Sequence, residues 1–262
     1  MEISSKVALY RWGNIVAFVA TVIMNGLAGS STIVGGKVTA EISDAYPTLI
    51  TPAGFTFAIW GVIYLLLGVF VVYQALPSQK EKGYIEKIGP FFVLSSVLNI
   101  AWLFLWQYEF VVFSVVLIFL LLASLITIYL RLNVGRSKAP TSERLAVHLP
   151  FSVYLGWITI ASIANVSVAL VSVNWDGFGI SPETWAMVVL VIALIIALLV
   201  VLTRRDPAYG LVVIWALFGI SSKQAGNQSI VNLAYINIAI VAVAIVGAIA
   251  LMRFRGVRKA GN

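Results

Sequence analysis

The chain has 262 residues, 61% of them hydrophobic and 10% charged, with a net charge of +7, no cysteine and one histidine. A charged share under half of the about 25% usual in soluble domains leaves too little polar surface to cover a water-soluble globule. The missing cysteines exclude disulfide frameworks, thiolate metal sites and cysteine nucleophiles, and a lone histidine excludes a multi-histidine metal centre within the chain.

Long apolar runs predict an all-α polytopic membrane bundle of about eight spans, near 12–29, 55–76, 90–107, 110–131, 149–173, 184–203, 209–222 and 230–252. Most approach the ~20 residues that a helix needs to cross the hydrocarbon core. Helices are expected because lipid leaves every backbone amide to be satisfied within its own segment, and the period-2 alternation of a barrel is absent. On the first span Asn14, Phe18, Thr21 and Asn25 share a face. A cleaved signal peptide is the alternative reading of that run, since Lys6 and Arg11 precede apolar residues ending in Leu27-Ala28-Gly29-Ser30. The second span aligns Phe57, Trp60, Tyr64 and Gly68, the third Asn99, Trp102 and Trp106, and the fifth Tyr154, Trp157, Ala161 and Asn165. The seventh is short and is followed by polar residues 222–228, so spans seven and eight are the least secure pair.

Charge placement fixes the parity. Lys6 and Arg11, the loops 77–89 and 131–148, Arg204 and Arg205, and the tail residues Arg253, Arg255, Arg258 and Lys259 put fifteen cations on one side, against Lys37 and Lys223 on the other. The fifteen-cation side, with both termini, is therefore expected to be cytoplasmic, and the basic residues to meet anionic lipid headgroups rather than nucleic acid. No Asp, Glu, Lys or Arg lies mid-span, which argues against an ion-coupled pump and a retinal Schiff base. His148 is expected at the inner membrane interface. No internal repeat, phosphate loop, metal cluster or nucleophile–base pair is visible, so no catalytic or metal-ligating residue is assigned.

At ~1.5 Å per residue, Asn25, Trp60, Trp102, Trp106 and Asn165 fall in the outer half of the bilayer, with Trp157 nearer mid-depth. They lie beneath the outer loop 30–54. Flat apolar walls with a few hydrogen-bonding groups suit a flat, mostly apolar ligand. Interface enrichment of aromatics and helix–helix packing by Asn and Gly are the competing explanations. Asn232, Tyr235 and Asn237 with Trp215 are candidates to extend such a pocket.

The segment Thr51-Pro52-Ala53-Gly54-Phe55-Thr56-Phe57-Ala58-Ile59-Trp60-Gly61-Val62-Ile63-Tyr64 resembles the stretch that opens the second helix of the tryptophan-rich sensory/translocator protein family (TspO/MBR). Leu98-Asn99-Ile100-Ala101-Trp102 is similar to its third-helix Asn-x-x-Trp, and residues 150–161 with Asn165 to its fifth-helix Pro-Tyr-Leu-x-Trp-x-x-x-Ala…Asn. The resemblance covers about residues 10–175, a five-helix membrane domain. It leaves 176–262 as three additional helices and a basic tail.

The resemblance implies a receptor or carrier for a porphyrin or sterol-like ligand, with no required cofactor, in a pocket capped by the loop between helices one and two. Trp60 and Trp157 match the pocket tryptophans proposed to react with or quench bound tetrapyrrole. Ala161 matches a small residue at a helix interface, and Tyr64, Asn99, Trp102 and Asn165 match pocket or packing positions. Asn25, Phe55 and Trp106 complete the candidate ligand-binding set. A prokaryotic plasma-membrane location and a homodimer, with Gly61 and Gly68 permitting close packing, are further expectations. Facilitative transport of a small amphipathic solute and light-dependent porphyrin breakdown are the alternative functions. Three departures bear on the ligand: Ala53 replaces a proline, Phe55 a tryptophan, and Glu41 and Asp44 in the loop would disfavour propionates nearby. A sterol-recognition pattern, Leu125-x-x-x-Tyr129-x-Arg131, falls on the wrong helix and is expected to be incidental.

Overall fold

The computed structural model describes residues 2–30, 33–80 and 82–260, with side chains over 5–29, 33–80 and 82–251; the basic tail side chains Arg253, Arg255, Arg258 and Lys259 lie outside the described residues. The eight expected helices are present in order: α1 (Glu2–Ser30), α2 (Ile59–Ala75), α3 (Phe91–Gln107), α4 (Val111–Leu132), α5 (Leu149–Ser172), α6 (Pro182–Arg204), α7 (Pro207–Lys223) and α8 (Gln228–Ala260). Among the described residues six are long and apolar enough to cross a membrane, α2 with the help of the 3-10 turn Gly54–Ala58 that leads into it. The other two, α3 and α7, have 17 residues each, about 25 Å of helix.

Consecutive helices alternate in direction, so one end of the bundle collects loops 77–89, 133–140 and 205–206, and is here the basic end. The cap end carries loop segment 33–53 with its short helix Thr39–Ala45. Large apolar side chains face outward along the helices, among them Leu65, Val72, Val243 and Val246, each about two-thirds or more exposed. A contiguous apolar belt of this kind on the outside of a bundle is a lipid-facing surface. The protein is an integral membrane helix bundle.

Two groups of helices meet at one joint. α1 packs on α2 and α3, α3 on α4, and α4 and α2 on α5. α6 and α7 pack on α8, and α7 also lies against α5. The α5–α7 crossing is close because Gly156 faces Val212; a Cβ there would stand 3.1 Å from the Val212 Cβ. Small residues let backbones approach in lipid, where no hydrophobic force drives helices together. Gly68 does the same for α1 and α2, meeting the Phe18 ring, whereas Gly61 faces open space.

At the basic end, Arg11 of α1 donates to the Gln74 and Ala75 carbonyls at 2.9 and 2.8 Å, satisfying the free C-terminal carbonyls of α2. Asn14 Nδ2 donates to Gln74 Oε1 at 3.0 Å. His148, expected at the interface, is instead buried. It ends a π-helical turn, Arg144–His148, that carries it into the bundle, with Nε2 3.7 Å from Glu143 Oε1. Leu125 and Tyr129 of the sterol pattern are buried as well, so neither faces lipid.

Candidate functional site

Helical periodicity brings the cap-side residues of the four predicted stripes to one place, the cap half of the bundle between α1, α2, α3 and α5, while Asn14 of the first stripe stays at the basic end. Trp60 is its centre. Its indole stacks on Tyr64, one turn further along α2, at 5.5 Å between centroids and 16° between planes. It meets Trp157 edge-on at 6.2 Å and Tyr154 at 6.0 Å, both from α5. Phe57 closes on Trp157 from the other side at 5.9 Å. On α3, Trp102 and Trp106 are stacked at 5.6 Å, as the i, i+4 spacing requires.

Two cavities flank these rings. One, of about 330 Å³, opens between α1, α2 and α3 and is lined by Asn25, Thr39, Phe57, Trp60, Tyr64 and Trp102 among others. The second is a narrow space of about 30 Å³ against α5, lined by Trp106, Trp157, Ala161 and Asn165 with Thr51 and Pro52 above. Phe57, Trp60 and Trp102 line both, so these three rings form the partition. The walls are aromatic and the polar groups few, the composition of a small-molecule site.

The amides are organised by α3 and α5. Trp102 Nε1 donates to Asn165 Oδ1 at 2.8 Å, and Asn165 Nδ2 donates to Ser114 Oγ of α4 at 2.9 Å. Asn165 is thus a fully engaged strut that fixes Trp102. Asn25 Nδ2 donates to Asn99 Oδ1 at 2.7 Å. Asn99 Nδ2 then approaches the Tyr154 hydroxyl without reaching hydrogen-bond geometry, and Tyr64 Oη and Trp157 Nε1 are likewise buried without a partner. A buried donor left unmade costs about 1–3 kcal/mol. Three of them lie around one aromatic centre, where buried polar groups are ordinarily paired.

The roof is the loop segment 33–53. Gln107, at the end of α3, gathers it by donating Nε2 to the carbonyls of Ala28, Val34 and Lys37. Trp106 Nε1 donates to Thr39 O at 3.2 Å. Gly35, at φ +73°, lies so close to the Gln107 backbone that a side chain there has no room. Lys37 pairs with Glu109 at 2.6 Å, and the Tyr46 hydroxyl donates to the same carboxylate. The hydrogen-bonded ammonium holds the Glu109 carboxyl below its ordinary range, and the carboxylate in turn raises Lys37. Partial burial, with the donated hydrogen bond, raises the Tyr46 hydroxyl.

Helix α7 and the residue that follows it hold the other side of this roof. Lys223, at the end of α7, pairs with Asp44 at 2.6 Å and reaches Thr51 Oγ1 at 3.1 Å, while Gln224 Nε2 donates to Thr48 O. Ala53 N donates to Gly219 O, and Trp215 Nε1 to Thr56 O at 3.0 Å. Glu41 caps its own short helix by accepting from Val38 N at 2.9 Å. The two acidic residues suspected of repelling an anionic ligand are therefore engaged, one by a cation and one by a helix N-terminus.

Nine of the ten candidate residues surround the cleft: eight line it and Asn99 backs Asn25. Phe55 does not. The 3-10 turn Gly54–Ala58 rotates it away, and it packs edge-on against Trp215 and Phe218 of α7, half exposed. Trp215, Asn232, Tyr235 and Asn237 do not extend the pocket either. Asn237 Nδ2 binds the Leu190 carbonyl between α8 and α6, Asn232 accepts from Gln228, and Tyr235 faces outward. Sequence reasoning missed the latch of Lys223, Gln224 and Gly219, because no local pattern ties α7 to a loop some 170 residues earlier. It also missed Asp206, a buried carboxylate in the two-residue turn between α6 and α7.

The family model described as TSPO-like protein matches residues 11–248. The match runs through α6, α7 and most of α8, so both the first five helices and the three that follow lie within it. No curated protein and no solved structure matches the chain.

Proposed function

The chain belongs to the TSPO-like protein family, and from that premise we propose that it binds a flat, mostly apolar ligand bearing hydrogen-bond acceptors, a tetrapyrrole before others, in the cleft around Trp60. Family and fold give the coarser statement, an integral membrane protein that binds or transports a ligand. The observation that carries the finer reading is the pairing of stacked indole walls with three unpaired buried donors, Tyr64 Oη, Asn99 Nδ2 and Trp157 Nε1. Aromatic faces take up a planar macrocycle, and the donors suit its carboxylate or carbonyl oxygens.

A volume of about 330 Å³ stands at the low end of the about 300–1,000 Å³ of ligand pockets. A macrocycle would therefore seat by swinging the Phe57 or Trp60 ring and joining the two cavities. A membrane-dissolved ligand would enter between the helices that line the cleft, α1, α2 and α3. With the basic end on the cytoplasmic face of a prokaryotic plasma membrane, the cleft lies in the outer leaflet, suited to sensing or carrying a membrane-dissolved molecule.

The test is a titration of detergent-solubilised protein with protoporphyrin IX, read by tryptophan fluorescence. Saturable quenching at micromolar ligand, weakened about 3- to 10-fold in Trp60→Phe and Trp157→Phe, is expected from the loss of an aromatic contact worth about 0.5–1.5 kcal/mol. Linear quenching, or the same curve in all three proteins, would overturn the tetrapyrrole reading.

A further inference from the structure

On the far side of α5 from the cleft lies a larger groove of about 420 Å³, walled by Phe119 of α4, Val166 of α5 and Val189 of α6. Its cap-end mouth is built differently from the cleft. Trp175 and Trp185 meet there at 5.3 Å between centroids, tilted by 51°. Trp185 Nε1 donates to Gly177 O at 2.9 Å, and Gly177, at φ +69°, lies so close beneath the indole that a Cβ would stand 3.2 Å from Nε1. The next residue, Phe178, also has positive φ and is 80% exposed, a conformation that costs a bulky side chain energy and holds the turn in one shape.

Asp176, next to Trp175 in the chain, lines the same mouth. One carboxylate oxygen accepts from Phe178 N at 3.0 Å, which orients the group at the groove mouth. Among the described residues no cation answers it. The two basic residues at this end, Lys37 and Lys223, are committed to Glu109 and Asp44. The mouth thus joins an uncompensated carboxylate to two indole faces, above an apolar channel in membrane-spanning helices.

We infer that this groove is a second ligand site, for an amphiphile with a single apolar chain and a positively charged amine or quaternary ammonium head. The chain would lie along α4, α5 and α6, removed from competing lipid, and the head would rest between Asp176 and the indole faces of Trp175 and Trp185. Both interactions favour a cation and reject an anion: Coulomb attraction to the carboxylate, and attraction to the negative faces of the rings. The groove's selectivity is therefore opposite in sign to that of the cleft, whose free groups are donors. It stands whether or not the cleft accepts a tetrapyrrole.

Equilibrium dialysis of tritiated dodecyltrimethylammonium against phosphatidylcholine nanodiscs, with and without the protein and below micellar concentration, tests this. Dodecanoate, with an apolar tail of similar length, is the control. The expected result is one saturable site per chain for the ammonium compound, in excess of empty nanodiscs, and none for dodecanoate. Asp176→Asn keeps an oxygen for Phe178 N but removes the charge, and should weaken binding about tenfold. Val166→Phe should abolish binding by filling the channel, and Trp60→Phe should leave it unchanged. Uptake that rises linearly, equals that of dodecanoate, survives Asp176→Asn at full affinity or is lost in Trp60→Phe would overturn the assignment.

Discussion

Two buried polar clusters, one at each end of the bundle, differ in how fully their hydrogen bonds are made. At the basic end Asp206 is 5% exposed, yet its carboxylate accepts four hydrogen bonds: Tyr129 Oη at 2.8 Å, Ser152 Oγ at 2.6 Å, and the amides of Ala208 and Tyr209 that open α7. One carboxylate ties α4, α5 and α7 together and caps a helix whose N-terminal dipole favours its charge. In the cap half the cleft around Trp60 has comparable burial and keeps three donors unmatched. A saturated buried cluster is part of the frame. An unsaturated one carries the cost of its unmade hydrogen bonds.

The sharpest way to break that comparison is to truncate Asp206. Asp206→Ala removes the cap of α7 and orphans the Tyr129 and Ser152 hydroxyls, and should destabilise the protein by roughly 3 kcal/mol or more, read as a large drop in thermal midpoint in detergent. If stability barely changes, the basic-end cluster is not part of the frame. Next in size is the α7 joint. A Cβ at Gly219 would overlap the Thr56 side chain and crowd Pro52, so Gly219→Val should cost about 1–3 kcal/mol and loosen the roof. Faster proteolysis within residues 33–53 would register that loosening.

The cleft is predicted to respond with the opposite sign. Tyr64→Phe deletes a hydroxyl that has no partner, so the unliganded protein should be unchanged or stabilised by up to about 1 kcal/mol, while ligand affinity falls. A loss of stability in the unliganded protein would mean that the hydroxyl is part of the frame after all.

The smallest effects belong to the exposed pairs. Lys223→Met should change stability by under about 1 kcal/mol, since a partly exposed ion pair contributes little on its own. The Lys37–Glu109 pair adds a pH dependence of known sign. Glu109 is lowered in the folded state, so its contribution is complete above the ordinary carboxylate range and is lost as pH falls through the lowered value. Thermal midpoints measured down through that range should fall less steeply in Lys37→Met than in the parent.

Much of the architecture could be read from one dimension. Leu, Ile and Val runs of membrane length decide that the segments are helices, because the bilayer offers no other way to satisfy a backbone amide. Fifteen cations on alternate loops decide how many there are. The stripes through Trp60, Trp102, Trp157 and Asn165 were legible for a similar reason, since helical period alone places i, i+4 and i+8 on one face. Periodicity says which face a residue takes but not which neighbour meets it. Asn165 and Asn99 look alike in the sequence, yet Asn165 is spent as a strut between Trp102 and Ser114 and Asn99 keeps a free donor.

Composition and period, acting through local backbone chemistry and lipid, thus determined the helices, their number and their aromatic faces. Only the tertiary structure decided that Phe55 turns to α7 and that Lys223 latches a loop far behind it in the chain. The same holds for Asp206, which gathers three helices, and for Asp176, left at a groove with no cation among the described residues to meet it. Each of these depends on which helix ends come together at one height. Burial and Coulomb energy follow distance in space, which spacing along the chain does not encode.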